Sequence, residues 1–225
     1  MSSERDAFLR RVRQAVRAGN RPGEGKPIEP RGGVGYQGAG PDPTERFCTE
    51  LTAAGGQAHP VPDRESAAAR VLELVQSKSA RSVLVGRGPL LDALGLPERL
   101  RTAGIEAVVV DQLTEENCRD PFFAADVGIS GVDYLIAETG SIVLQARPGE
   151  PRSLSLLPPV HIAVAERAQI LPDLFDLFEC PDWQPHSGPP SCLTLITGPS
   201  KTGDIELRLV TGVHGPGEVH VVLIA

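Results

Sequence analysis

From residue 43 onward, short aliphatic runs alternate with amphipathic segments. The runs are continuously apolar and too short for helices, which is typical of strands buried on both faces of a parallel sheet. They lie at residues 57–61, 82–86, 107–110, 125–130, 161–166, 192–197 and 219–224. The segments between them predict helices at 44–54, 89–94, 97–103 and 171–178, and one that begins at Asp63. This alternation predicts an α/β fold with a doubly wound, mostly parallel sheet flanked by helices.

One part of the pattern departs from this alternation. Residues 134–138 and 141–146 form two strand-like runs that are joined directly at Thr139-Gly140. Such a short connection predicts a β-hairpin inserted into the α/β domain.

The N-terminal residues form a different region. The spacing of apolar residues predicts an amphipathic helix over residues 1–18, with a stripe formed by Phe8, Leu9, Val12, Ala15 and Val16. Residues 19–43 hold eight Gly and five Pro, which predicts a flexible linker, and residues 44–225 then form the α/β domain. The helix needs a surface to cover its stripe, so we expect it to dock on this domain or on a second copy of the chain.

Composition narrows the range of functions. The net charge of −7 and the 4 % of aromatic residues disfavour a nucleic-acid partner. No stretch reaches the ~18 apolar residues of a membrane span, and no apolar leader opens the chain, so we expect a cytoplasmic protein. The cysteines are scattered without a C-x-x-C pair, and the histidines show no metal-binding spacing, so we expect no metal site and no intrinsic redox cofactor.

A glycine-rich match to a cofactor motif does not change this expectation. Residues 33–38 read G-x-G-x-x-G, but prolines surround the motif where a dinucleotide site needs a strand and a helix.

Ligands of such sheets bind at the carboxyl ends of the parallel strands, which directs attention to the loops 86–89, 138–141 and 198–206. The third loop predicts an anion site, because a strand leads into a turn that offers backbone N–H groups, two hydroxyls and an ammonium. Its candidate ligand-binding residues are Gly198, Ser200, Lys201 and Thr202. An ordinary capped turn with a solvated lysine is the alternative.

The candidate acid/base groups lie in the same loops. Glu138 ends an apolar run, so burial is expected to raise its pKa and suit it to proton transfer; an exposed hairpin tip is the alternative. Thr139, Gly140 and Ser141 complete this candidate site. His214 is a second acid/base candidate in a turn-rich loop, and Glu206 is a third that forms a carboxylate pair with Asp204 if the segment is a strand. The other histidines are interpreted as structural.

Three segments together resemble one known family. They are Ala137-Glu-Thr-Gly-Ser-Ile-Val-Leu144, Leu156-Leu-Pro-Pro-Val-His161, and Gly198-Pro-Ser-Lys-Thr-Gly-Asp-Ile-Glu206 followed by Gly212-Val-His-Gly-Pro216. Their order is similar to that in the LUD domain of the LutC/YkgG lactate-utilisation family, over roughly residues 44–225. Family members commonly have arginine in place of Lys201 and alanine in place of Gly203.

The resemblance implies a fold similar to ribose-5-phosphate isomerase and CoA transferases. It also implies a role with iron–sulfur partner proteins in oxidising L-lactate to pyruvate, with the clusters in the partners only. The residues are compatible with a non-redox subunit that binds a small anionic metabolite. Two alternatives remain open at this point: a self-sufficient isomerase or CoA transferase that uses Glu138, and a scaffolding or regulatory protein.

Overall fold

A computed structural model describes residues 4–19, 38–114, 119–147, 149–180, 192–203 and 210–225. The chain forms two compact units, residues 1–36 and 37–225. In the first unit, helix α1 spans Glu4–Gly19, with Glu4 and Asp6 in its first turn and Arg17 in its last turn, as the helix dipole favours. No residue of α1 is buried. The predicted linker lies largely outside the described residues, and the docking of the helix stays a prediction.

The second unit is built on a six-stranded parallel sheet with strand order β1-β12-β7-β4-β2-β3. Every pairing in this sheet is parallel. Its strands are β1 (Gln57–Val61), β2 (Ser82–Val85), β3 (Glu106–Val109), β4 (Val127–Ser130), β7 (Val160–Glu166) and β12 (Glu218–Ile224). The central strands are buried on both faces, as their continuous aliphatic runs predict.

Seven helices of this unit are described: α2 (Pro43–Ala53), α3 (Arg64–Ser77), α4 (Pro89–Leu94), α5 (Leu96–Thr102), α6 (Arg119–Ala124), α7 (Ser153–Leu156) and α8 (Leu174–Glu179). Short 3₁₀ turns lie at Val110–Gln112 and Arg167–Gln169. Asp42 and Asp63 cap α2 and α3, because each carboxylate accepts backbone N–H groups of the first turn.

A second, mixed sheet has the strand order β8-β5-β6-β9. Its strands are β5 (Tyr134–Ile136), β6 (Ser141–Gln145), β8 (Ile170–Leu171) and β9 (Leu193–Ile196). β5 and β6 pair antiparallel, which confirms the predicted hairpin. A short antiparallel pair, β10 (Lys201–Thr202) and β11 (Val210–Thr211), follows β9.

The two faces of the parallel sheet carry different layers. One face packs against α3, α4 and α5 through residues such as Val71, Leu91 and Leu100. The other face packs against α2 and the second sheet, and against α6 and α7 near β2. The α/β prediction is therefore confirmed, with a small mixed sheet taking the place of helices over part of one face.

One predicted helix begins later than expected. The pattern predicts a helix over 171–178, but Leu171 pairs with Ile136 at the end of β8, and α8 begins at Leu174. The cause is Asp173, whose buried carboxylate accepts the Asp176 N–H at 2.9 Å and so sets the first turn.

Candidate functional site

The segments that carry the family resemblance meet in space, and we call them the motif cluster: residues 138–141, 156–161, 197–203 and 212–217. A chain of hydroxyl groups joins the hairpin turn to the loop after β9. Ser141 Oγ lies 2.7 Å from Thr139 Oγ1 and 2.7 Å from Thr197 Oγ1. Ser141 is buried, so the chain is shielded from water at its centre.

Backbone hydrogen bonds tie the remaining segments of the motif cluster together. The Ser200 N–H donates to the Pro216 carbonyl at 2.9 Å, and the Gly212 N–H donates to the Ser200 carbonyl at 3.0 Å. The Gly217 N–H donates to the Pro159 carbonyl at 2.9 Å. The Ser200 N–H is therefore already engaged, and an anion bound here would rely on side chains more than the sequence predicts.

Lys201 has a structural contact that the sequence does not reveal. Its Nζ donates to the Ala54 carbonyl at 2.5 Å, immediately after the last residue of α2. Carbonyl groups at a helix C-terminus lack intrahelical partners and carry partial negative charge, so an ammonium there is stabilising. Lys201 is otherwise exposed, and its other N–H groups have no partner among the described residues, so they remain for a ligand.

The hairpin turn packs tightly on α2. Gly140 has φ 62°, and a Cβ at this position would overlap the backbone nitrogen of Leu51 in α2. Gly198 has φ 79° and would bring a Cβ to 2.5 Å from the Ala54 carbonyl oxygen. Glycine at both positions is required by the left-handed backbone and by the close approach of the helix.

The motif cluster lies at the opposite edge of the parallel sheet from the one that the sequence predicts. Its partners Ala54, Pro159 and Pro216 precede β1, β7 and β12, so they mark the amino ends of these strands. The prediction that these loops lie at the carboxyl ends is therefore wrong for residues 138–141 and for 198–203, the described part of the second loop. The reason is that β5, β6 and β9 belong to the mixed sheet, and the strand-end rule does not apply to it.

The three candidate acid/base residues differ in their exposure and in whether the structure describes them. Glu138 is partly exposed, with its N–H donating to the Pro172 carbonyl at 3.1 Å. His214 is exposed in a loop of the motif cluster. The next residue, Gly215, lies close to Ser200, because a Cβ on Gly215 would be 3.3 Å from Ser200 Cβ. Glu206 and Asp204 lie outside the described residues. Roles for Glu138, His214 and Glu206, and anion binding by Thr139, Gly140, Ser141, Gly198, Ser200, Lys201 and Thr202, stay predictions.

The carboxyl edge of the parallel sheet holds a second candidate site. The connection that leaves β2 runs through α4 and α5 on one face, whereas the connection that leaves the neighbouring β4 enters the mixed sheet on the other face. Such a reversal opens a crevice in α/β sheets. Here a cleft of about 400 Å³ lies along this edge, and we call it the switch-point cleft. Its lining includes residues 64, 87–91, 131–132, 147, 150, 166 and 169.

Glu150 lies in this cleft, close to two glycines. A Cβ on Gly86, after β2, would lie 3.3 Å from Glu150 Cγ, and a Cβ on Gly131, after β4, would lie 2.9 Å from Glu150 Oε1. The Gly131 N–H donates to Glu150 Oε1 at 2.7 Å. Burial raises the pKa of the Glu150 carboxyl group to about 7, against the lowering effects of that N–H and of Arg147.

Three arginines line the cleft together with Glu150, and each is paired with a carboxylate. Arg64 Nη2 lies 2.8 Å from Glu166 Oε1, Arg87 Nε lies 3.2 Å from Asp92 Oδ1, and Arg147 pairs with Asp133. Their side chains are about half exposed. The loop 86–89 is one of the loops that the strand-end rule selects, but no sequence motif gives it any chemistry. Glu150 lies in a Gly/Pro-rich stretch with no periodicity, so no local signal marks it.

Two histidines that line neither candidate site contact each other at the parallel sheet: His220 is buried and His59 is half-buried. His59 Nε2 lies 3.1 Å from His220 Nδ1, and His220 Nε2 lies 3.3 Å from Glu218, which pairs with Lys78. Burial, with help from the charge of Arg70, lowers the pKa of His59 to about 4, and burial also lowers the pKa of His220. These contacts agree with a structural role for both imidazoles.

His161 is also buried and lies on the opposite face of the sheet. Its Nε2 lies 2.9 Å from Ser130 Oγ, and burial lowers its pKa to about 4. His186 lies outside the described residues. Within the described part of the chain, no group of three or more His, Cys, Asp or Glu side chains is arranged to hold a metal ion. No helix among the described residues has both the length and the apolarity needed to cross a bilayer.

Comparison with known proteins defines the class of protein: residues 44–224 match the model of the LUD domain, and the chain belongs to this family. Among its relatives, Lactate utilization protein C of Halalkalibacterium halodurans is 37 % identical over 145 residues, which are 64 % of this chain and 62 % of that protein. The uncharacterized protein YkgG of Escherichia coli K12 is 36 % identical over 152 residues, 67 % of this chain and 65 % of that protein. The matched segment thus spans less than two thirds of either relative.

A solved structure supports the fold. The crystal structure of a DUF162 family protein from Deinococcus radiodurans superposes with a TM-score of 0.59 at 24 % sequence identity. The superposition covers 81 % of this chain and 96 % of that one. At this identity the similarity defines the architecture alone.

Proposed function

We propose that this chain is a non-redox subunit of a cytoplasmic system that oxidises L-lactate to pyruvate, and that it binds a small anionic metabolite of that reaction. Iron–sulfur partner proteins carry the electrons in this proposal. Support comes from the LUD domain match and from relatives named Lactate utilization protein C.

The observation that carries the binding role is the convergence of the motif cluster. Segments that are far apart in the sequence are joined by the Thr139–Ser141–Thr197 hydroxyl chain and by the Ser200–Pro216 hydrogen bond. Hydroxyl groups and one ammonium at such a junction suit a carboxylate ligand. Ser200, Lys201 and Thr202 hold the anion in this proposal, and Gly140 and Gly198 allow the close approach of the backbone.

The chemistry divides between this chain and its partners. Oxidation of a hydroxyl-bearing carbon to a carbonyl releases two electrons and two protons. The two electrons pass to the partners' clusters, one proton passes to an acid/base group of this chain, and the other proton passes to water. Glu138 is the first candidate for that group, and His214 and Glu206 follow it. The fold is proposed to be of the ribose-5-phosphate isomerase/CoA transferase type.

Ligand binding is tested by thermal unfolding of the purified chain with L-lactate, pyruvate and acetate. A ligand present at about 100 times its Kd adds about 2.7 kcal/mol to the folded state, which is a readily measured rise in Tm. We expect a rise with lactate or pyruvate that Lys201→Ala abolishes. Lys201→Arg is the matched control, because it keeps the charge and the reach to Ala54.

Three results would count against this function. Equal shifts with acetate and lactate would show that the site does not select a metabolite of the reaction. Shifts that survive Lys201→Ala would remove the motif cluster as the binding site. Turnover of a sugar phosphate or an acyl-CoA by the isolated chain would favour a self-sufficient enzyme.

A further inference from the structure

The switch-point cleft has no part in the function proposed above, yet it has the properties of a small-molecule site. It lies at the carboxyl ends of β2 and β4, where ligands of α/β sheets bind. The motif cluster lies at the amino ends of β1, β7 and β12. The two sites are therefore on opposite edges of one sheet, and a ligand in one does not touch the other.

The size of the cleft limits its ligand. A volume of about 400 Å³ is within the range of small-molecule sites. A three-carbon hydroxy acid would fill only a small part of it. Pro89, Leu90 and Val132 give part of the wall an apolar character, which suits the carbon skeleton of a larger metabolite.

The charge of the cleft favours an anionic ligand with polar groups. Arg64 binds Glu166 through Nε and Nη2, and its Nη1 donors have no partner in the described part of the chain, which leaves them for a ligand. Arg87 Nε lies 3.2 Å from Asp92 Oδ1 and 3.5 Å from Asp111 Oδ2. The acidic partners fix the guanidinium groups while their remaining N–H groups stay exposed, as in sites that recognise carboxylates and phosphates.

Glu150 adds a carboxyl group that can donate or accept a hydrogen bond. Its side chain lies against Gly86 and Gly131, just past the carboxyl ends of β2 and β4, where a Cβ on either glycine would come within 3.3 Å of it. One oxygen is held by the Gly131 N–H, which fixes the carboxyl group and leaves the other oxygen as a donor or an acceptor. A carboxyl group that stays partly protonated near neutral pH can lie beside an anion without strong repulsion.

We propose that the switch-point cleft binds an organic anion larger than lactate, with Arg64, Arg87 and Arg147 contacting its carboxylate or phosphate and Glu150 hydrogen-bonding a hydroxyl or carbonyl of the same molecule. This site is independent of the motif cluster.

The test is titration calorimetry of the full chain at pH 7 and low salt, with citrate, ribose 5-phosphate, inorganic phosphate and L-lactate as probes. Citrate and ribose 5-phosphate distinguish a carboxylate from a phosphate ligand. We expect one of them to bind at a single site. Arg87→Ala, Arg64→Ala and Glu150→Gln should each weaken that binding about tenfold or more, the usual loss for a charge-assisted hydrogen bond.

Arg99→Ala is the matched control, because Arg99 is a similarly exposed arginine in an ion pair with Glu65, outside the cleft. It should leave binding unchanged. The unfolding midpoint of each variant establishes that it is folded, and Arg87→Lys provides a milder change at the same position.

Four results would overturn the proposal: no binding of either organic anion, equal binding of inorganic phosphate, unchanged binding in Arg87→Ala, or an equal loss in Arg99→Ala. Binding that is lost in Lys201→Ala and kept in Arg87→Ala would assign the ligand to the motif cluster instead. Lactate binding alone would likewise contradict the larger ligand and leave the proposed lactate function intact.

Discussion

The free energy of unfolding of Glu150→Gln, minus that of the original chain, should be larger at alkaline pH than at acid pH. Glutamine has nearly the same shape, and its side-chain oxygen can still accept the Gly131 N–H. The substitution therefore removes the ability to ionise and little else. Its effect reports how strongly the folded protein opposes a charge at this position.

The magnitude follows from the rise of the Glu150 pKa from its ordinary 4.5 to about 7 on folding. The folded protein holds the proton that the unfolded chain has lost, so stability falls as pH rises between these two values. Below pH 4.5 both states are protonated and the loss is absent, and above pH 7 it is complete. Between pH 5 and pH 8 the loss amounts to about 2.5 kcal/mol, an upper bound because Glu150 keeps some contact with water.

Urea unfolding of both proteins at pH 5, 6, 7 and 8 measures this effect. The other titrating groups, including the buried histidines, contribute equally to both proteins and cancel in the difference. We expect the free energy of unfolding of Glu150→Gln, minus that of the original chain, to rise by about 2 kcal/mol from pH 5 to pH 8. A difference that stays constant over this range would refute the argument that Glu150 is buried at a cost to its ionised form.

Three further substitutions test other parts of the structure. Gly95→Ala should cost ~1–2 kcal/mol in urea unfolding, because Gly95 has positive φ but a Cβ there meets nothing. Gly140→Ala should cost several times more, because Gly140 also has positive φ and its Cβ would overlap the backbone of Leu51. Similar losses for the two variants would contradict the packing of the hairpin on α2. Because burial lowers the pKa of His161 to about 4, the stability that this residue contributes above pH 6.5 should be lost as the pH falls to 4. His161→Gln should remove up to about 3 kcal/mol of this pH dependence. An unchanged pH profile of the free energy of unfolding would contradict the burial of His161. Asp173→Ala should cost about 1 kcal/mol, measured by thermal unfolding, through loss of the α8 cap, and no change in Tm would contradict that role.

Much of the fold could be predicted because local pattern and burial agree. The aliphatic runs that form β2, β7 and β12 are buried on both faces, and such strands have a distinctive sequence pattern. Asp63 and Gly104 mark helix ends through short-range hydrogen bonding and positive φ. The sequence pattern predicts the start of α8 too early, because it does not show that Leu171 pairs with Ile136.

The location of the candidate sites could not be predicted in the same way. Sequence patterns show that a strand leads into the loop after residue 197, but not which sheet that strand joins. Since β9 pairs antiparallel with β6, the loop returns to the amino edge, and Lys201 contacts Ala54. Glu150 reaches its cleft through contacts with Gly86 and Gly131, which are distant in the sequence. Such contacts become visible only when the strand order is known.

The central claim is that this chain is required for lactate oxidation while its partners carry the electrons. Its most direct test is lactate-dependent reduction of an electron-accepting dye by the purified iron–sulfur partners, measured with and without this chain. We expect oxidation only when the chain is present, with the activity lost in Lys201→Ala and kept in Lys201→Arg. Equal oxidation by the partners alone, or oxidation by this chain without them, would contradict the claim.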